Sequence, residues 1–392
     1  MSAVRPAPDP PVAATERDLF EWYDEETGVV LQHGAYSLAA AGTSRGIRVS
    51  AGPDHVRRAA ALAQDALGET PGPAVVMGAL PFVGSCEAIL RLPERVIRGV
   101  PLRGDLAPNP DWAVTDLVPY PLPVEYEAAV DQALAAIDAG EVEKVVLART
   151  VLVRADAAID PRIVARRFNA GEPASFVFLA ALPEHGSHLV GASPEIVVRR
   201  RGRKVFSDPL AGTARRSPDR TRDREIAVQL LEAVKEQREH RLVAEAVADG
   251  LAPFCSNLAV DREAGLTSTA TLWHLHTAIK GTLKPGAPDA LTIAAALHPT
   301  PAVCGTPRAA AAALIGRLEP FDRRYFAGLV GWVDSLGDGE WALTLRCAEV
   351  SGPSARLHAG AGIVAGSDPA AEDLETEVKF GVGLRALGAE PA

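Results

Sequence analysis

Apolar positions over residues 19–118 fall in short runs, 29–31, 74–80 and 88–92, separated by Gly and Pro. Such runs predict short strands, and an Ala-rich stretch near 53–67 predicts a helix among them. Ahead of them, MSAVRPAPDPPVAATERD is polar and Pro-rich. It predicts a disordered tail over residues 1–18, with the folded domain over 19–392. The Pro cluster VPYPLPVEY at 118–126 predicts a boundary or linker. Beyond it the periodicity sharpens. Residues 124–139 have helical spacing and stop at Gly140, a suitable C-terminal cap. KVVLARTVLVRA at 144–155 is long, apolar and β-branched, which predicts a buried strand; SFVFLAAL at 175–182 and HLVGASPEIVVRR at 188–200 predict two more. One long helix is expected over 218–248. GLVGWVDSLGDGEWALTLRCAEV predicts a hairpin whose turn holds Asp338-Gly339, and a third strand over 355–358 is expected to complete a meander. Asp368-Pro369 marks the start of a final helix. Hairpin strands with helices segregated between them argue an α+β fold with largely antiparallel sheets. No repeat at solenoid periods is evident.

Composition narrows the function classes. Of 392 residues, 47% are hydrophobic and 23% charged, the profile of a globular chain long enough to bury a large core unaided. Forty Lys+Arg against 50 Asp+Glu leave a net charge of −10, which argues against a nucleic-acid partner. No apolar run approaches ~18 residues and the start lacks a charged-then-apolar pattern, so neither a membrane span nor a secretory signal is expected. Cys86, Cys255, Cys304 and Cys347 are far apart with no CxxC spacing. That fits neither a disulfide scaffold nor a zinc site, and a reducing cytoplasm is the simplest expectation. Lysine occurs six times against 34 arginines. A GC-rich genome produces the same bias, but Lys can give up its proton and Arg cannot, so each surviving lysine is a stronger candidate for chemistry.

Three constellations carry candidate chemistry. In VKEQREH, Glu236 and Glu239 are three apart and share a helix face; in AEDLETEVK, Glu372 and Glu375 repeat the spacing, with Lys379 four further on. Two such faces brought together supply oxygen ligands for one Mg²⁺. Taken alone, each pair reads more readily as a solvated face, and Glu375 with Lys379 as an ordinary surface ion pair. HAGAGIVAGSDP at 358–369 follows a strand and opens a helix, and Gly360, Gly362 and Ala365 satisfy G-x-G-x-x-A. A nicotinamide-dependent oxidoreductase is therefore a rival, but its fingerprint needs a second strand with an acidic residue about 20 residues on, and the sequence stops at Ala392. Backbone N–H groups beside a helix N-terminus equally cradle a carboxylate. Lys144 at a strand start and Glu195 in GASPE are, by themselves, ordinary strand-edge charges. His274 and His276 alternate in LWHLH and read as core or lining residues rather than metal ligands. No P-loop, HExxH or G-x-S-x-G elbow occurs.

Together these segments resemble the chorismate-utilising enzymes, the family of isochorismate, salicylate, anthranilate and aminodeoxychorismate synthases. The resemblance rests on KVVLAR (144–149), GASPE (191–195), PLAGTARR (209–216), KEQREH (235–240), LWHL (272–275), HPTPAVCGTP (298–307), EPFDRRYFAGLVGW (319–332), GDGEWALTLRCAEV (337–350) and AGAGIVAGSDPAAEDLETEVK (359–379), in family order over about residues 120–385. It implies a single large α+β domain like component I of anthranilate synthase. Its two pseudo-symmetric halves would have antiparallel sheets packed face to face and helices outside, with the first 118 residues in the first half. The nearest likeness is to isochorismate synthases of 2,3-dihydroxybenzoate siderophore pathways. HPTPAVCG carries Ala302 where anthranilate-type members carry Thr, no tryptophan-binding signature is evident, and no glutaminase subunit is expected.

By that resemblance the chain is an isomerase acting on chorismate, with an isochorismatase as a functional link. Lys144 is the general base for water adding at C2, and Glu195 the general acid for the hydroxyl leaving C4. Mg²⁺, held by Glu239 and Glu375 with Glu236 and Glu372 close by, binds the ring carboxylate. Arg346, Lys379 and N–H groups around Gly360 and Gly362 take the enolpyruvyl carboxylate, while Gly212, Thr213 and His274 line the ring. Ala302, small and apolar, does nothing to pin the geometry that eliminates pyruvate, so isochorismate is expected as the released product. Such a site requires a lysine pKa lowered from ~10.4 towards 7–8 and a glutamate kept protonated near neutrality. A salicylate synthase and an inactive chorismate-binding scaffold are the alternatives.

Overall fold

The strand Lys144–Ala155 is twelve residues long and buried along nearly all of it, so it belongs inside a sheet. It pairs antiparallel with Ser354–Val364, from Lys144 opposite Val364 to Arg154 opposite Ser354. Its other edge is shared by Val114–Tyr120 and Gly305–Thr306. The computed structural model that gives this register describes residues 13–15, 18–52, 54–83, 86–102 and 108–389.

An 11-stranded sheet grows from this pair through Cys347–Ser351, Ser187–Ser193 and Phe176–Ala181 to Val29–His33, Tyr36–Ala41 and Arg95–Gly99. A 9-stranded sheet has Ile196–Arg201, Gly339–Leu343 and Leu329–Asp334 at its centre, with Cys255–Val260 and Arg45–Val49 at its edges. A 3-stranded sheet is formed by Leu210–Arg215, Leu272–His276 and Gly265–Ser268. The two-residue period of the strands separates two cores. Leu31, Leu38, Phe176 and Phe178 share one with Leu329, Trp341 and Leu343 of the second sheet. Val30, Ala39, Val177 and Leu179 face the other way, into a core with Phe168 of the helix Pro161–Gly171 and Phe380 of the helix Pro369–Leu387. The fold is α+β with antiparallel sheets packed through an apolar layer and helices outside. Among the described residues, no helix is long and apolar enough to cross a membrane.

Several expectations need correction. The single strand over 188–200 is two strands in different sheets, Ser187–Ser193 and Ile196–Arg201. Pro194 separates them; it has no N–H for a ladder, and Glu195 is left at the crossing. The meander is likewise broken, because Gly339–Leu343 and Cys347–Ser351 lie in different sheets and the chain crosses between them at 344–346. The hairpin turn keeps Asp338, while Gly339 already starts its second strand. The long helix is two, Arg220–Glu232 and Val234–Leu251, parted by an extended Ala233. No Gly or Pro marks that break. The Pro cluster is no linker: it ends the strand Val114–Tyr120 and starts the helix Pro123–Asp138. Strands from the first 118 residues feed both large sheets. Within the expected tail, Ala13–Thr15 pairs in parallel with Arg95–Gly99 and Asp18 caps the turn Leu19–Trp22; residues 1–12 and 16–17 lie outside the described residues.

Candidate active site

Because Ala233 is extended, the helix Val234–Leu251 begins just before its acidic face and presents Glu236 and Glu239 from its first turns. The helix Pro369–Leu387 is started by Asp368, whose side chain accepts from Ala371 N, with Pro369 at its first position. It presents Glu372, Glu375 and Lys379. The two acidic faces meet at Lys235, whose Nζ lies 2.5 Å from Glu372 Oε1 and 3.4 Å from Glu236 Oε1. Burial raises the pKa of Glu236 and of Glu372, and a neighbouring carboxylate adds to each rise: Glu239 for the first, Glu375 for the second.

Lys144 is wholly buried at the head of the central strand. Its Nζ lies 2.9 Å from Glu239 Oε1. Opposite Val146 on the neighbouring strand is Gly362. A Cβ at Gly362 would stand 2.1 Å from Glu239 Oε1 and 3.1 Å from Lys144 Cε. Only glycine lets that carboxylate and that ammonium meet at the strand surface.

The glycines are not beside a helix N-terminus, as expected, but inside the strand Ser354–Val364. Their register still frees them. Val146 N donates to Cys304 O and Ala148 N to Glu319 Oε1, both away from this strand. Gly362 and Gly360, opposite those residues, therefore turn their own N–H and C=O outward, since both groups of one residue point to the same edge of an antiparallel ladder. Lys379 Nζ confirms the direction by donating to Gly360 O at 2.7 Å, while also pairing with Glu375 Oε1 at 2.5 Å.

Glu195 is buried at the crossing between the large sheets. Burial pushes its pKa up to about 8, against the opposing pull of the Leu210 N–H and the Lys144 charge. Arg346 stands at the other crossing with a φ of 47°, a left-handed conformation that non-glycine residues adopt at strain. Burial lowers its pKa. Its Nη2 lies 3.5 Å from His274 Nε2, and His274 Nδ1 lies 3.2 Å from Thr213 Oγ1. Burial and then the charges of Arg346 and Lys379 hold His274 well below its ordinary value, so it is neutral.

Glu195, Gly212, Thr213, Glu239, His274, Ala302, Arg346, Gly360, Gly362, Glu375 and Lys379 line one narrow cavity of about 60 Å³. Lys144, Glu236 and Glu372 back its walls through the contacts above. His276 lies apart, its Nδ1 2.9 Å from Asp208 Oδ1. Sequence reasoning missed Val146, Pro194, Leu210, Ala211 and Leu345 on the walls, and it missed Lys235. A signal for Lys235 existed: it is one of only six lysines, and three of the six are paired to these glutamates.

Comparison with known proteins follows the same lines. Residues 111–388 match the family described as chorismate binding enzymes. The chain is 43% identical to isochorismate synthase DhbC of Bacillus subtilis strain 168, over 81% of each protein. It is 40% identical to isochorismate synthase EntC of Escherichia coli K12, over 85% of this chain and 86% of that one. The crystal structure of DhbC from Bacillus anthracis, provisionally described as 2,3-dihydroxybenzoate-specific isochorismate synthase, superposes with a TM-score of 0.87 at 37% identity, over 94% of this chain and 98% of that one.

Proposed function

Since the chain belongs to the chorismate-binding enzymes, we propose that it is a Mg²⁺-dependent isochorismate synthase. The observation that carries this reading is Glu195. A carboxyl group that keeps its proton to about pH 8 shares one cavity with Arg346 and Lys379, cations suited to a substrate bearing two carboxylates. Lys144, as the free amine, takes a proton from water as its oxygen bonds to C2; the two ring double bonds each shift one position. Glu195 gives its proton to the C4 hydroxyl, which departs as water. The released atoms balance the added ones. Arg346, Lys379 and the outward N–H groups of Gly360 and Gly362 hold the enolpyruvyl carboxylate, and Gly212, Thr213 and His274 border the ring.

The donor chemistry supports Mg²⁺ at Glu239 and Glu375, with Glu236 and Glu372 behind them. Carboxylates from two helices crowd together until burial and mutual repulsion raise two of them. Mg²⁺ suits such a site, because it takes one or two carboxylates and completes its shell with water and an anionic substrate. Glu239 and Glu375 would hold the ion, which would supply positive charge to the ring carboxylate.

Glu375→Gln is expected to weaken Mg²⁺ binding, measured calorimetrically, and to cut activity at limiting Mg²⁺ while melting near the unmodified protein; its partner Lys379 is partly exposed. Glu239→Gln should lose both metal and stability, by up to about 3–5 kcal/mol, because it leaves Lys144 buried without its partner. Unchanged metal affinity in both variants would remove the ligand assignment.

Chromatography of chorismate incubated with the protein and Mg²⁺ tests the reading as a whole. A mixture of chorismate and isochorismate is expected, since only a hydroxyl has moved and Ala302 offers the cavity nothing to pin the pyruvate-eliminating arrangement. Salicylate and pyruvate appearing in step with chorismate loss would make the chain a salicylate synthase instead. A 2,3-dihydroxybenzoate siderophore route, with an isochorismatase consuming the product, is the pathway proposed; its support is the likeness to DhbC.

A further inference from the structure

Arg346, His274 and Thr213 come from three different segments and meet in one line on the cavity wall. A guanidinium has donors only, so His274 Nε2, which faces Arg346 Nη2, must be the bare nitrogen. The ring also hydrogen-bonds the Gly212 carbonyl, an acceptor that requires an N–H on the ring. With Nε2 bare, that N–H is on Nδ1. Protonating both nitrogens is disfavoured by burial and by Arg346 and Lys379, the cations facing the ring. Thr213 Oγ1 stands 3.2 Å from Nδ1 and cannot donate to a nitrogen that already carries a proton. The Thr213 backbone N–H is itself taken by Glu236 Oε2 at 3.1 Å.

We propose that Arg346 locks His274 as its Nδ1–H tautomer, and that this lock turns the Thr213 hydroxyl into a donor aimed at an anionic or hydroxyl oxygen of the substrate. His274 is thus a positioning residue: it acts through Thr213 rather than on the reacting atoms. Arg346 donates to Nε2 and Nδ1–H donates to the Gly212 carbonyl, which leaves the Thr213 hydroxyl proton free to point into the cavity. The substrate end of this inference rests on the proposed function; the tautomer does not.

The test is long-range ¹H–¹⁵N correlation on the full chain labelled with ¹⁵N-histidine, with the His274 signals assigned by their loss in His274→Phe. Nε2 is expected as a bare, pyridine-type nitrogen and Nδ1 as N–H. In Arg346→Met the ring should move towards the Nε2–H form that free imidazole prefers, while Arg346→Lys, which keeps a donor, should retain the lock. An Nε2–H or doubly protonated ring in the unmodified protein, or an unchanged ring in Arg346→Met, overturns the proposal. In kinetics, Thr213→Val should raise KM for chorismate about tenfold with kcat changed less than about threefold, the scale of one hydrogen bond, and Thr213→Ser should restore the KM. A serine variant as impaired as the valine one counts against a donating hydroxyl. If the tautomer is found as stated but chorismate is not turned over, the lock stands and the proposed function falls.

Discussion

Lys144→Ala is expected to lower chorismate turnover by about 10²–10⁴, the range for a positioned acid or base, with Lys144→Arg no better. The strand that carries Lys144 is buried and paired along both edges, so the side chain has one direction open to it, towards Glu239 and the Gly362 surface. Alanine removes the amine and leaves Glu239 without its ion-pair partner. Arginine restores the charge but cannot release a proton, and it needs room that a fully buried site lacks. The comparison therefore separates a base from a charge. Melting temperatures of both variants, taken alongside, show how much of the loss is folding. An arginine variant with substantial turnover would leave Lys144 as a mere counter-ion.

Glu195→Gln should cause a loss of similar size, and its pH dependence is the sharper signature. With a pKa of about 8, the wild-type acid is available below that pH, and turnover should fall as pH rises through about 8. Glutamine has no proton to give and no such limb. The same shift predicts a stability effect. Native Glu195 keeps a proton that the unfolded chain releases above about pH 4.5, so wild-type stability declines with rising pH between those values. Glu195→Gln lacks that decline. Denaturant unfolding at pH 6 and pH 9 should show the variant gaining on the wild type at the higher pH; a constant difference would mean Glu195 is not held protonated.

What could be read from the chain was mostly local. Lys144–Ala155 is continuous, apolar and β-branched, and its boundaries follow from that alone. Asp368-Pro369 announces the C-terminal helix because an N-cap and a first-turn proline act within three residues. Paired glutamates three apart place both carboxylates on one helix face without tertiary knowledge. The errors lie where distant segments decide. Pro194 hinted at a break within 188–200, but nothing local says that the chain resumes in another sheet. Nothing in LEAVKEQ marks the interruption at Ala233, which the docking of Glu236 and Lys235 against the C-terminal helix accompanies. The glycines at 360 and 362 were legible as a site of close approach. Their reason, a strand whose face at Gly362 meets Glu239 and whose outward edge at Gly360 meets Lys379, depends on a register with Val146 and Ala148 more than 200 residues away.

The proposed reaction requires that water enter at C2 on the Lys144 side as the C4 hydroxyl leaves with the proton of Glu195. Turnover of chorismate in H₂¹⁸O, followed by mass spectrometry, tests it. Isochorismate should carry one solvent oxygen, on its C2 hydroxyl, and chorismate recovered at equilibrium should have gained one at C4. Isochorismate free of solvent oxygen would mean that the hydroxyl moved within the substrate, and would contradict both roles.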